Sequence, residues 1–420
     1  MPRARAAFYG DDFTGSVDAL LQFSRRGWTG RLFTRLPAPE ALHRAAESVD
    51  VVGVAGIARS LPTSTMDAEL TPVLQALAAL EPRVVQYKAC STADSSPTVG
   101  SLGRIVELGR AIVAGRPVPM LFAQPDFGRY TFFGHHFAAE DGVVYRLDRQ
   151  PTMSTHPSTP MTESELAVHV GRQTELPIGS LPVTAYDGDL AGRISDSDAA
   201  ALVLDAVTDE HLVTVGDAVL RLPAPVFAIG SGGLSHGIAA AAPMGAPPPP
   251  AATAARGPVL VVSGSRSART RRQADAAAAD GWLVCPLPLA PRGRDEVIRQ
   301  TVDTLRSGRS AVLTSDDADT SATAGRPVLD VVAATATAVV DAAVRAGVTR
   351  RVVVCGGDTS GRVALGLGVE ALSLAANPWG NVVILRAHAA DPAIDGLELL
   401  LKGGQVGGDT LFPDVRALGG

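Results

Sequence analysis

Short runs of β-branched and other apolar residues alternate along this chain with stretches whose apolar positions recur every three or four residues. The first pattern is that of strands buried on both faces, the second that of amphipathic helices covering them. In the first part of the chain the runs predict strands at residues 4–9, 49–55, 84–87, 120–123, 202–205 and 226–229. Helical patterns fall at 16–26, 67–80, 99–114 and 163–173. In the second part strands are predicted at 259–262, 282–285, 311–314, 352–354 and 382–385, and helices at 268–279, 295–307, 328–346 and 362–374. Residues 125–160 break the alternation. They are rich in Gly, His and aromatics and read as an excursion covering a site.

Between the two parts lies a proline- and alanine-rich stretch, 240–258. Consecutive prolines favour an extended, semi-rigid spacer. The reading is a first domain over 1–241, a linker over 242–257 and a second domain over 258–420. Strands alternating with helices argue for parallel sheets with crossover connections. The predicted fold class is therefore α/β, with two Rossmann-like domains, each a mainly parallel sheet, and the active site in the interdomain cleft. In open sheets of this kind ligands sit at the carboxyl ends of the strands.

Two of the predicted strands run into nearly the same hexad. One is Gly10-Asp11-Asp12-Phe13-Thr14-Gly15, the other Gly356-Gly357-Asp358-Thr359-Ser360-Gly361. A strand, such a turn and then a helix offers backbone N–H groups to a phosphate or carboxylate. Two such turns suggest two anion-handling sites, one in each half. Of Asp11 and Asp12, neighbours pointing different ways, one can face a ligand while the other caps the helix.

Composition narrows the chemistry. At 420 residues and 46% hydrophobic the chain can build two cores. Three distant cysteines with no CxxC argue against a disulfide framework and for a reducing cytoplasm. No apolar run has the length of a membrane span, and the first residues lack a signal-peptide core. A net charge of −6 with few aromatics gives nucleic-acid binding no support.

The cations say more. Of 37 basic residues only Lys88 and Lys402 are lysines. A compact ammonium fits a crowded anion site where a guanidinium fork does not, so the two survivors mark candidate sites. Lys88 opens a polar turn containing Ser91, Thr92, Asp94, Ser95 and Ser96, suited to a small hydroxylated anion. Lys402 precedes Gly403-Gly404. Arg59 follows a strand and offers a bidentate fork. Ser263-Gly264-Ser265 follows the first strand after the linker and reads as a phosphate-binding turn, without the lysine of a P-loop. His135, His136 and His156 have no metal-ligand spacing. Together these residues argue for a two-substrate enzyme performing phosphoryl transfer.

The chain resembles the four-carbon acid sugar kinase family. The matching stretches include residues 10–16, 58–62, 88–97, 125–135, 156–161, 204–208, 230–234, 263–267, 355–361 and 402–407. The resemblance implies a sugar-acid-binding first domain and a nucleotide-binding second one, using ATP and Mg²⁺. It implies that Asp11, Asp12, Arg59, Lys88, Ser91, Asp94 and Arg129 hold the acid. Ser263, Gly264, Ser265, the turn Gly356, Gly357, Asp358, Thr359, Ser360 and Gly361, and Lys402, Gly403 and Gly404 would hold ATP. Asp358 is the expected general base and Asp12 the alternative; no metal ligands are assigned. The expected acceptor is a hydroxyl, the terminal one, of a threonate, erythronate or oxo-tetronate. Homo-oligomerisation is left open. A nicotinamide-dependent oxidoreductase lacks its GxGxxG fingerprint here, and a non-catalytic sugar-acid sensor would not need the nucleotide-side motifs.

Overall fold

The computed structural model describes residues 4–244, 255–290, 293–316, 323 and 325–418. The chain divides into two compact units, Met1–Pro247 and Pro248–Gly420. Residues 245–254, the proline-rich centre of the expected linker, lie outside the described residues.

Unit 1 carries β1 (Ala6–Gly10), β2 (Gly30–Phe33), β3 (Val51–Ala55), β4 (Val84–Lys88), β5 (Val118–Leu121), β6 (Arg129–Phe132), β7 (His135–Glu140), β8 (Val143–Arg146), β9 (Ile178–Leu181), β10 (Ala201–Leu204) and β11 (Val226–Gly230). Eight of them form a wholly parallel sheet in the order β2-β3-β1-β4-β11-β5-β10-β9. Every residue of β1, β3, β4 and β11 is buried, as strands covered by helices on both faces require. The excursion is β6-β7-β8, a separate three-stranded antiparallel sheet. It is fixed to the main sheet by Asp205, which follows β10. This fully buried carboxylate accepts the N–H groups of Phe133, Gly134 and Val183 at 2.6, 3.0 and 3.1 Å.

Unit 2 carries β12 (Val259–Ser263), β13 (Leu283–Pro286), β14 (Ala311–Thr314), β15 (Arg351–Cys355), β16 (Ala371–Ala376), β17 (Ile384–His388) and β18 (Glu398–Lys402). The order β13-β14-β12-β15-β18 is parallel, and β17 and β16 then add antiparallel. Both units are thus mainly parallel α/β structures with crossover helices. At the opening of β15 and β18, Arg351 and Glu398, which pair in register, form a buried ion pair at 2.9 Å. Arg351 also donates to the carbonyls of Ala255 and Val415, and Glu398 accepts the Ala255 N–H.

The helix expected at 362–374 is not formed as such. The helix spans Gly357–Gly366 instead, Gly368 turns with φ +74°, and residues from Ala371 onward are strand β16. Gly368 closes the helix, because glycine adopts the left-handed conformation that ends a helix without strain. Among the described residues no helix is long and apolar enough to cross a membrane.

Candidate active site

Four strands of unit 1 end level with one another. Gly10 of β1 pairs with Ala55 of β3 and Lys88 of β4, and Lys88 pairs with Gly230 of β11. Just beyond these ends, Arg59 joins both aspartates. Its Nη2 and Nε donate to the two oxygens of Asp11 at 2.7 and 3.1 Å, and its Nη1 donates to Asp12 at 3.0 Å. Asp11 is buried. Burial pushes its carboxyl up, and Arg59 offsets this only in part. Burial acts on Asp12 too, but Arg59, Lys88 and the Gly15 N–H outweigh it and hold the carboxyl below its ordinary value.

Asp12 caps the helix Phe13–Ser24, accepting the Gly15 N–H at 2.7 Å and the Thr14 hydroxyl at 3.0 Å. Lys88 is 3% exposed. Its ammonium donates to the Ala89 carbonyl at 3.0 Å and lies 3.9 Å from Asp18. A Cβ on Gly15 would stand 3.1 Å from that ammonium and 2.3 Å from Asp12 Oδ1, so only glycine leaves the space between them open.

The turn after Lys88 is held internally. The Thr92 hydroxyl donates to Asp94, and the Ser95 hydroxyl donates to the Ala93 carbonyl at 2.9 Å. Ala93 sits at φ +52°. The Ser91 carbonyl accepts from His136 of β7 at 2.7 Å. Arg129 opens β6, where its Nη1 donates to the carbonyls of Phe127 and Ala139 at 3.0 Å each. Its guanidinium is engaged with its own hairpin rather than with the aspartates.

Unit 2 repeats the device. Cys355 ends β15 in register with Lys402 of β18. Gly356 N–H donates to the Lys402 carbonyl at 2.9 Å, just as Asp11 N–H donates to the Lys88 carbonyl at 3.0 Å. The Lys402 ammonium, also 3% exposed, donates to the Gly403 carbonyl at 3.1 Å and the Thr270 hydroxyl at 3.2 Å. Burial lowers its pKa. The Ser267 and Thr270 hydroxyls donate to the Gly404 carbonyl at 2.5 and 2.9 Å. A Cβ on Gly404 would lie 2.4 Å from Ser265 Oγ. Ser265 N–H donates to Ser263 Oγ at 3.2 Å, and Gly264 N–H to the Cys355 carbonyl at 2.9 Å. Ser263, Gly264, Ser265, Gly356, Lys402, Gly403 and Gly404 therefore form one cluster.

The two hexads differ in how their helices are capped. The helix Phe13–Ser24 is capped by Asp12, whereas no side chain caps Gly357–Gly366, whose N-cap is Gly356. The second hexad leaves its first N–H groups for a ligand; in the first, one of them is already taken. Within the second helix Thr359 and Ser360 are buried, with the Ser360 hydroxyl on the Val354 carbonyl at 3.3 Å. Asp358 is exposed in the first turn, with no hydrogen bond or ion pair among the described residues.

Three members of these clusters escape a reading of the sequence. Asp18 stands beside Lys88 and accepts from the Gln22 and Gln124 amides. Its one signal is that it is the only charged residue of the helix Phe13–Ser24. Thr270 stands three residues beyond the capping Ser267, an ordinary helix-start pattern. His136 is one of two adjacent histidines with no informative spacing.

Two family descriptions match the chain. The first, a sugar-binding N-terminal domain, covers residues 6–238, and the second, a nucleotide-binding C-terminal domain, covers residues 260–412. A 3-oxo-isoapionate kinase of Paraburkholderia graminis is 40% identical, over 98% of this chain and 93% of that protein. The chain belongs to the four-carbon acid sugar kinase family. A second member, a 3-oxo-tetronate kinase of Pseudomonas fluorescens, is 30% identical over 100% of this chain and 97% of its own. A solved structure from Salmonella typhimurium superposes with a TM-score of 0.79 at 23% identity, covering 98% of both chains; that likeness bears on the fold. This four-carbon acid sugar kinase is thus a phosphotransferase that uses a nucleotide and a sugar acid. Among its described residues no three His, Cys, Asp or Glu side chains converge as a metal site.

Proposed function

We propose that this kinase transfers the γ-phosphoryl group of ATP to the terminal hydroxyl of a 3-oxo four-carbon sugar acid. The observation that carries the reading is the placement of its only two lysines. Each is buried at a strand end beside a hexad turn, one in each unit. A buried ammonium without a tight carboxylate partner is costly unless an anion completes it. Lys88 has Asp18 only at 3.9 Å, and the described partners of Lys402 are neutral oxygens. The 3-oxo class is favoured by the two relatives named above, which are both kinases of 3-oxo acids.

In this reading Lys88, Arg59 and the Ser91–Asp94 turn bind the carboxylate and hydroxyls of the acid, and Asp11 holds Arg59 in place. Arg129 braces the hairpin beside them. The uncapped N–H groups of Gly357, Asp358 and Thr359, the turn of Ser263, Gly264 and Ser265, and Lys402 bind phosphate. Gly403 and Gly404 let the backbone pass close to the nucleotide. Mg²⁺ would supply charge neutralisation at the phosphates. It would be held largely by phosphate oxygens and water, with one or two hard donors from a protein, a part the Thr359 hydroxyl would fill. The acceptor oxygen attacks phosphorus, its proton passes to a carboxylate, and ADP leaves with the former bridging oxygen. Asp12 is a poor proton acceptor, since Arg59, Gly15 and Thr14 already engage its oxygens. Asp358 is the better base.

The test is ADP release with 3-oxo-isoapionate, 3-oxo-tetronate, threonate and erythronate, repeated for Asp358→Asn. Turnover is expected with a 3-oxo acid, and the variant is expected to lose about 10²-fold or more in kcat. Recovery at raised Mg²⁺ would make Asp358 a metal ligand instead of the base. Binding of an acid without ADP release from any of them would leave the kinase reading without support.

A further inference from the structure

The three-stranded sheet β6-β7-β8 reaches the turn after Lys88 through a fully buried side chain. His136 of β7 lies with Nε2 2.7 Å from the Ser91 carbonyl and Nδ1 2.9 Å from the Thr131 hydroxyl of β6. A carbonyl oxygen only accepts, so Nε2 must carry the proton. In a neutral ring Nδ1 is then an acceptor, and the Thr131 hydroxyl must donate to it. Burial keeps the ring neutral, with a pKa pushed down to about 3. The direction of every proton from Thr131 to Ser91 is therefore fixed. At the far end of the turn a second histidine, His169, stands 2.8 Å from the Ser95 hydroxyl.

We propose that His136 is a positioning residue of the sugar-acid site, fixed in one tautomer by Thr131 and holding the Ser91 carbonyl so that the small sheet sets the shape of the Lys88–Ser96 turn. This rests on the reading of that turn as part of the acid site. The relay has a physical rationale. Ala93 holds the left-handed conformation at φ +52°, which is strained for a non-glycine residue and needs support from its surroundings. The small sheet is itself anchored, since Asp205 accepts the N–H groups of Phe133 and Gly134 at the β6–β7 turn as well as that of Val183 after β9, and the strand β10 before it belongs to the main sheet. A rigid path thus runs from β10 through Asp205, β6 and β7 to Ser91.

The experiment uses the full chain and three variants, His136→Leu, His136→Gln and Thr131→Val. Gln can place an amide donor near the Nε2 position, and Val matches Thr in shape while removing the donor that fixes the tautomer. Steady-state kinetics with 3-oxo-isoapionate and 3-oxo-tetronate should give His136→Leu a sugar-acid KM raised about tenfold or more, with the ATP KM within about twofold. His136→Gln should recover most of the loss. Thr131→Val should show a smaller rise, and Thr131→Val combined with His136→Leu should be no worse than His136→Leu alone. An unchanged sugar-acid KM in His136→Leu, or an equal rise for ATP, overturns the proposal.

Hydrogen exchange separates its fate from that of the substrate reading. Faster exchange over residues 90–96 in His136→Leu and Thr131→Val, with 259–263 unchanged, supports the relay even if the unaltered protein phosphorylates neither acid. Unchanged exchange in both variants rejects it. If His136→Leu does not fold, the near-isosteric Thr131→Val still decides.

Discussion

Asp11 and Asp12 adjoin in the sequence, yet their carboxyl pKa values move in opposite directions, because Arg59, Lys88 and the Gly15 N–H outweigh burial only at Asp12. Both touch Arg59, but Asp12 also takes a backbone N–H and a hydroxyl. The sequence supplied the pairing and the cap; which oxygen met which donor depended on the distance from Arg59, 47 or 48 residues away. The histidines were less legible still. His136 and His169 are held neutral by burial, at about 3 and about 4, and nothing in their spacing announces it. Their folded pKa lies below the unfolded value of about 6.5. Their contribution to stability is therefore complete above that value and is lost as pH falls towards 4 and then 3. Within this window each can add a slope of up to about 1.4 kcal/mol per pH unit. Urea midpoints measured from pH 6.5 to 4.5 should fall steadily, and less steeply in His136→Gln. An identical slope in the variant would mean that other groups carry the acid sensitivity.

At the level of elements, the strands that build the centre of each sheet were readable because they are short, apolar and buried on both faces. β2, β9, β16 and β18 were not anticipated. β2 contains Gly30 and Arg31, and β18 opens with a charged glutamate, so neither begins as an apolar run. The excursion at 125–160 was recognised as irregular, but the anchor of its β6–β7 turn, Asp205, lies some 70 residues later. Glu398 shows why a charge in a buried strand can mislead. It neutralises Arg351, and the pair fixes Ala255 at the start of unit 2 and Val415 in the last helix. Removing one charge of a buried pair typically costs about 3 kcal/mol or more. Glu398→Gln should therefore lower the urea midpoint of unit 2, followed by hydrogen exchange in β12 and β15, while exchange in β1 and β4 stays as it was. Equal loss in both units would show that they unfold as one.

Across the whole molecule, each unit builds its cluster from its own strand ends. The ligand functions should then separate by mutation. Lys88→Ala is expected to weaken sugar-acid binding about tenfold or more and leave ATP binding within about twofold, since a charge-assisted contact is lost from one unit only. Gly404→Val should do the reverse, because its side chain would strike Ser265 Oγ. Titration calorimetry of each ligand against each variant gives four numbers. A Lys88→Ala protein that loses ATP instead would exchange the two assignments. The sequence showed this division through its two hexads, but not their inequality, because a cap is a matter of where a side chain points.

Having only two lysines, each 3% exposed, also decides how the protein meets amine-directed chemistry. Acylating labels, aldehyde fixatives and surface-coupling reagents find almost no internal amine to attack, so extensive modification of either lysine reports an opened site and not ordinary surface wear. The lowered pKa of Lys402 gives it more of the reactive free-base form. A small acylating probe at mildly alkaline pH, read by peptide mass spectrometry, should mark Lys402 more slowly when ATP is present and leave Lys88 indifferent to it. Protection of Lys88 by ATP, with Lys402 unaffected, would contradict the assignment. In a chain so nearly free of lysine, each surviving amine serves as a built-in reporter of the ligand beside it.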